Sequence, residues 1–177
     1  MKRLATRLQS YDNRWISYVN QEWKCKEMDW LMPRLTHLGG AVFTVSFLLL
    51  WWLWISSPIR YWAVEGFIAL VGSHLVVRLC KHMWHRLRPY LQLKDLNTFP
   101  KPLKDYSFPS GHTTAIFSVG TTFVLHAPWT VGFMLPLAVA VGLSRMYLGL
   151  HYPTDVAVGA WLGTVFAMIT HYALLWV

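Results

Sequence analysis

Residues 129–155 read WTVGFMLPLAVAVGLSRMYLGLHYPTD, an uncharged run from Trp129 to Leu143 that leads straight into Ser144, Arg145, His151 and Asp155. A run this apolar belongs either to a buried core helix or to a membrane span, and its neighbours decide which. Working outward, comparable runs occur at roughly Leu35–Ile55, Tyr61–Leu79, Thr113–Ala127, Trp129–Leu150 and Pro153–Val177. Five such runs in 177 residues leave too little polar sequence for a soluble shell. The chain therefore reads as all-α, an integral membrane helical bundle of about five transmembrane helices. The third run is short for a hydrocarbon layer of about 30 Å.

Composition agrees. Hydrophobic residues make up 55% and charged residues 14%, and the mean hydropathy is +0.34, which together exclude an ordinary soluble globule. Eleven tryptophans, with Trp51, Trp52, Trp54 and Trp62 flanking the turn Ser56-Ser57-Pro58, suit an aromatic belt at a membrane interface. A formal charge of +8 fits anionic headgroups, a phosphorylated substrate or nucleic acid by sign alone. Cys25 and Cys80 are too few for a disulfide framework and lack metal-ligand spacing, so no zinc site is expected.

Residues 1–34 form a separate N-terminal segment without a spanning run, ahead of a membrane domain at 35–177. In it Leu4, Leu8, Tyr11, Trp15, Tyr18, Val19 and Trp23 recur at helical spacing among Arg3, Arg7, Arg14, Lys24 and Lys26. That pattern predicts an amphipathic helix, lying in the membrane interface or docked on the rest of the fold. Within the domain, Gly159 and Gly163 read as a close helix-packing pair. The proline-rich stretch 89–109 reads as a cap loop, since prolines at this density forbid a regular helix.

Polar groups at the ends of membrane spans are costly, and here they gather in three clusters. If the spans alternate in direction, Lys81 to Pro89, Pro109 to His112 and Ser144 to Asp155 all fall on one membrane face. The spacing predicts that the second span continues as a helix through the first cluster, with Lys81, His85 and Arg88 on one cationic face. Alone, this stripe could equally be side chains snorkelling to lipid phosphates. Ser110 and Gly111 precede an apolar helix, whose N–H groups and dipole make an anion site beside His112; Ser110 could also be a simple N-cap. Asp155 stands four residues after His151, near enough to accept from one imidazole nitrogen and leave the other free to attack. Arg145 offers a planar fork to phosphate oxygens.

Lys81-x6-Arg88-Pro89, Pro109-Ser110-Gly111-His112 and Ser144-Arg145-x5-His151-x3-Asp155 together resemble the three signature motifs of the type 2 phosphatidic acid phosphatase family. The motifs cover residues 81–155, and the surrounding spans extend the resemblance over roughly 35–177. The resemblance implies a metal-independent phosphatase on a helical bundle shared with vanadium haloperoxidases, with no cofactor. It casts His151 as the nucleophile that forms a phosphohistidine, Asp155 as its orienter and His112 as the acid to the leaving oxygen. Lys81, Arg88, Ser110, Gly111 and Arg145 would hold the phosphate.

The expected partners are thus the bilayer and a lipid phosphate or diphosphate: undecaprenyl diphosphate, phosphatidylglycerophosphate or phosphatidic acid, with no nucleic acid. A non-catalytic membrane protein that binds or carries phosphorylated lipids or solutes is the alternative, and it has no use for an oriented nucleophile. Cys80-x5-Arg86 matches the bare spacing of cysteine phosphatases but lacks their glycine-rich phosphate loop. His74, His82, His85, His126 and His171 share no metal-like spacing and read as packed or solvated rings. Seven N-terminal cations on the site's face against Arg60 on the other point the site at the cytoplasm. The family resemblance points it outward, and an extracytoplasmic site is the expectation adopted.

Overall fold

The computed structural model describes residues 2–98 and 105–175. Helix α1 (Lys2–Ser17) runs on through a π-helical turn at Tyr18–Glu22, and α2 (Lys26–Leu35) continues through a 3-10 turn at Thr36–Gly39. The bundle follows: α3 (Ala41–Trp54), α4 (Tyr61–Met83), the single turn α5 (Pro89–Gln92), α6 (Gly111–His126), α7 (Val131–Tyr147) and α8 (Pro153–Leu174).

The core is inverted relative to a soluble protein. Val42, Trp54, Met83 and Trp129 are exposed on the outside, whereas Ser73, Thr113, Thr114, Ser118, Thr122 and Ser144 are fully buried between helices. Without a hydrophobic drive to separate apolar side chains from lipid, helices associate through small residues that allow close approach. Thr114 and Thr122 return their buried hydroxyls to the carbonyls of Ser110 and Ser118, one turn back, whereas Ser118 Oγ has no hydrogen-bond partner.

Helix α6 sits at the centre, packed against α3, α4, α7 and α8. At 16 residues it is about 24 Å long, short for the bilayer, and its neighbours shield it. The helices α4 and α8, and α7 with its preceding turn, are each long and apolar enough to cross a membrane. The run expected at Leu35–Ile55 is broken: α2 with its 3-10 turn meets α3 at a 55° bend, at Gly40, whose extended backbone separates the two helices. Among the described residues, helices long and apolar enough to cross a membrane thus number three, or four with the bent pair.

The glycine pair of α8 lets it lie directly on the start of α6. A Cβ on Gly159 would fall 2.7 Å from the carbonyl oxygen of Ser110, and one on Gly163 would meet the backbone of Thr114 and Ser118. On the far side of α6, a Cβ at Gly39 would stand 2.6 Å from the His112 carbonyl. Glycines therefore set how closely α8 and the 3-10 turn clamp the α6 N-terminus.

Helix α1 is docked. Ile16 and Val19 share a core cluster with Met32, Leu96, Met146, Tyr147, Leu148 and Tyr152. The buried Asn20 amide donates to the carbonyls of Asn97 and Tyr147, at 2.9 and 2.6 Å. The N-terminal segment, the chain after α5 and the α7–α8 junction thus form one small core at one end of the bundle. Of the expected cap at 89–109, residues 99–104 lie outside the described residues.

Candidate active site

The junction of α7 and α8 is held by a helix start. Pro153 occupies the first turn of α8, where its missing N–H costs nothing, and Asp155 Oδ2 accepts the Tyr152 N–H at 2.8 Å. A left-handed Gly149 (φ 69°) reverses the chain just before this point. His151, between the two helices, is fully buried.

The first cluster departs from the expected helix. Helix α4 ends at Met83, and Trp84 and Arg88 are extended, Arg88 because a residue before proline is driven out of the helical region. The stripe of Lys81, His85 and Arg88 on one helical face does not exist. The extended segment instead divides the arginines. Arg88 turns into the bundle, donating Nη1 to the Leu150 carbonyl at 2.9 Å and approaching His151 Nε2 at 3.2 Å. Arg86 turns to the other side, where Nη1 meets Asp155 Oδ1 at 2.7 Å and Nη2 meets Asp12 Oδ2 at 2.6 Å.

Ser110 stands at the N-cap position of α6 but makes no side-chain capping bond to the first turn. Its hydroxyl pairs with Thr113 Oγ1 at 2.9 Å, and its N–H donates to the Asp155 carbonyl at 3.0 Å. That backbone bond ties the α6 N-terminus to the first turn of α8. His112 lies on the same first turn, its Nε2 3.6 Å from where a Cβ on Gly40 would stand. Arg145, on the last turn of α7, is buried with Nη1 bonded to Thr36 at 2.8 Å, while its Nε has no hydrogen-bond partner.

Arg145, Arg88, Lys81 and His112 converge electrostatically on His151. His151 is held well below the usual imidazole range, first by burial and then by Arg145, Arg88, Lys81 and His112 around it. Both effects favour the uncharged ring, and Nε2 faces Arg88 Nη1. The expected bond from Asp155 is not closed: His151 Nδ1 lies 3.8 Å from Oδ2 and has no hydrogen-bond partner. The reason is competition, since the Asp155 oxygens already accept from Arg86, Ser107 and the Tyr152 N–H.

Four participants escaped the sequence reading. Asp105 reaches in from the segment before α6, pairing with Lys81 and, at 2.6 Å, with Arg88 Nη2. Burial raises its pKa, but Lys81 and Arg88 outweigh that and bring it down to about 2. A carboxylate thus already occupies two of the cations expected to grip phosphate. Arg86, Asp12 and Ser107 are the others, and all three surround Asp155. Only Arg86 left a trace, lying two residues from Arg88 and spaced from Cys80 as in cysteine phosphatases; Cys80 itself makes no disulfide.

Beside this cluster a cavity of about 560 Å³ is lined by Trp84, His85, Arg86 and Phe108. Its apolar rings border the same Arg86 that holds Asp155, so a lipid chain and a phosphate could be received side by side.

Residues 62–177 match a family model described as the PAP2 superfamily. The bacitracin transport permease protein BcrC of Bacillus licheniformis is 34% identical over 149 residues, covering 83% of this chain and 73% of that protein. YbjG of Escherichia coli K12, named a putative undecaprenyl-diphosphatase, is 32% identical over 139 residues, covering 77% and 70%. The crystal structure of Aquifex aeolicus LpxE matches with a TM-score of 0.81 at 24% identity, over 90% of this chain and 93% of that one, a likeness of fold. The family model, the relatives and the shared bundle lead to one assignment: the chain belongs to the PAP2 superfamily and is a multi-pass membrane lipid phosphatase.

Proposed function

We propose that the chain hydrolyses the terminal phosphate of a polyprenyl diphosphate such as undecaprenyl diphosphate, through a phosphohistidine on His151. The observation that carries the chemistry is the neutral, buried imidazole of His151 with Nε2 3.2 Å from Arg88. The preference for a prenyl diphosphate rests on likeness to a relative named for that activity across most of both chains.

In this reading the terminal phosphoryl group displaces Asp105 from Lys81 and Arg88 and takes up Arg145 as well. His151 Nε2 attacks phosphorus in line, the bond from phosphorus to the bridging oxygen breaks, and His112 protonates that oxygen as the lipid monophosphate leaves. Water then attacks the phosphohistidine, His112 takes its proton, and inorganic phosphate departs. The equatorial oxygens carry the developing charge, and three fixed cations with the N–H groups of Ser110, Gly111 and the α6 start stabilise it. Asp155 steadies the imidazolium-like nitrogen at Nδ1; catalytic hydrogen bonds are often long in a free enzyme and tighten around the transition state. The lipid tail leaves past Trp84 and Phe108, and the site faces the extracytoplasmic side.

Phosphate release by purified protein from undecaprenyl diphosphate, phosphatidylglycerophosphate and phosphatidic acid tests the substrate. The diphosphate should have the highest kcat/KM; a preference for either glycerolipid would replace it. His151→Ala should abolish both turnover and acid-labile phosphate on the protein. His112→Ala should still become phosphorylated by a substrate with a good leaving group. Phosphoenzyme formed in His151→Ala would remove His151 from the nucleophile's role.

A further inference from the structure

Among the described residues three carboxylates are buried: Asp12, Glu65 and Asp155. Arg86 neutralises the first and the last. Glu65 lies at the other end of the bundle, in the second turn of α4, and among the described residues only histidines come within ion-pair distance of it. His126, the last residue of α6, places Nε2 2.9 Å from Oε2, and His171, in the last turn of α8, places Nδ1 3.1 Å from Oε1. Three donor atoms from three helices thus lie within 4.8 Å of one another.

We propose that Glu65, His126 and His171 form a site for a divalent transition-metal ion, zinc in the first instance, that staples α4, α6 and α8 at the end remote from the phosphatase site. Two observations support an ion over a plain hydrogen-bonded trio. One is burial: the carboxylate, whose side chain is 6% exposed, has no lysine or arginine within ion-pair distance among the described residues, and a bound cation would offset the cost of burying it. The other is access. A cavity of about 620 Å³ lined by Tyr61, Val64, Ile68 and Leu174 opens onto all three donors, leaving a fourth coordination position for water.

Two imidazoles and one carboxylate form a donor set that zinc takes readily. The ligand atoms need to draw in to about 3.3 Å apart for a tetrahedral site with ordinary bond lengths. Side chains at helix ends can make that move. Each imidazole would bind the ion through the nitrogen that now faces Glu65, His126 Nε2 and His171 Nδ1. The rings are already constrained: Trp62 stacks on His126 at 4.9 Å and 6°, and His126 meets His171 edge-on at 4.8 Å. Supporting contacts of this kind hold metal-ligating rings in orientation.

The test uses tag-free, chelator-stripped protein in detergent, titrated with Zn²⁺ by calorimetry and with Co²⁺ by visible absorption. One ion should bind per chain with micromolar affinity or better, Co²⁺ should give the bands of a tetrahedral nitrogen and oxygen site, and Zn²⁺ should raise Tm. Glu65→Gln and His171→Ala should each weaken binding by roughly tenfold or more and abolish the Tm rise, while phosphate release from the lipid substrate persists as evidence of folding. His82→Ala/His85→Ala, which removes the other close pair of rings (6.4 Å apart), should leave binding unchanged. Should either first-named variant fail to fold, His171→Gln takes its place. No binding at micromolar Zn²⁺, binding that survives Glu65→Gln and His171→Ala, or binding lost only with His82 and His85 would overturn the proposal.

Discussion

Asp105 shows how much one side chain can alter a site. Its carboxylate satisfies Lys81 and Arg88, two cations that would otherwise repel each other. It also competes with any incoming phosphate. Asp105→Asn keeps the shape and removes the charge, so KM for the lipid substrate and the inhibition constant for orthovanadate should both fall, by about tenfold if one competing ion pair is lost at modest screening. Steady-state kinetics decide it; a rise in both constants would make Asp105 a holder of Arg88 instead of a competitor. The sign of its pH dependence follows from the lowered pKa. The pairing stabilises the fold fully above the ordinary carboxylate range, near pH 4, and is lost as pH falls through about 2. Across neutral pH the competition is therefore constant.

Helix α8 carries both Asp155, the neighbour of the proposed nucleophile His151, and the contact that locates the α6 N-terminus. Its Gly159 lies where a methyl group would press on the Ser110 carbonyl, part of the residue whose N–H binds Asp155. Gly159→Ala should lower kcat more than tenfold while the protein still folds, because a displacement well under 1 Å at a phosphate-holding turn is costly to the chemistry. Tm and kcat measured on the same preparation separate the two effects. Helix α1 joins through Arg86, which spans Asp12 and Asp155 and lies over the Tyr152 ring at 4.0 Å. Arg86→Ala strands two buried carboxylates beside each other and should destabilise the protein by about 3 kcal/mol, read as a lower denaturation midpoint. Asp12→Asn should cost less, since Asp155 keeps its arginine.

The whole molecule places two polar centres at opposite ends of an apolar bundle. In the proposed mechanism hydrolysis relies on fixed cations, so it should survive excess EDTA, while the same treatment lowers Tm if the distant histidine cluster holds metal. Orthovanadate should inhibit in both conditions. Orientation in the membrane is read from one introduced thiol: Leu96 is buried, so the exposed Lys94 is the better position. In a Cys25→Ser/Cys80→Ser background, Lys94→Cys should react with an impermeant thiol reagent in intact cells. Reaction only after the membrane is opened would turn the site to the cytoplasm.

The amino-acid order alone carried the membrane class, the helical content and the three motifs. Apolar runs and the proline and glycine positions act locally, through hydration of the backbone and through allowed dihedral angles. Pro153 starts α8 and Gly159 lets it pack for reasons readable without any coordinates. The partners of those residues depended on distance across the fold. Arg86 and Arg88 lie on the irregular segment after α4, where the Arg86 N–H bonds the Trp84 carbonyl, and they take different acidic partners, Asp12 and Asp155 for Arg86 and Asp105 for Arg88; a helical reading that put Lys81, His85 and Arg88 on one face could not show that division. Asp105 and Ser107 join the site from a segment whose sequence has no period to betray them, and Asp12 comes from a helix whose period does not name the surface it docks on. Glu65, His126 and His171 lie 61 and 106 residues apart along the chain and have no common spacing. They meet because α6 and α8 run parallel to each other and antiparallel to α4, and only the packing of three helices could bring those ends to one point.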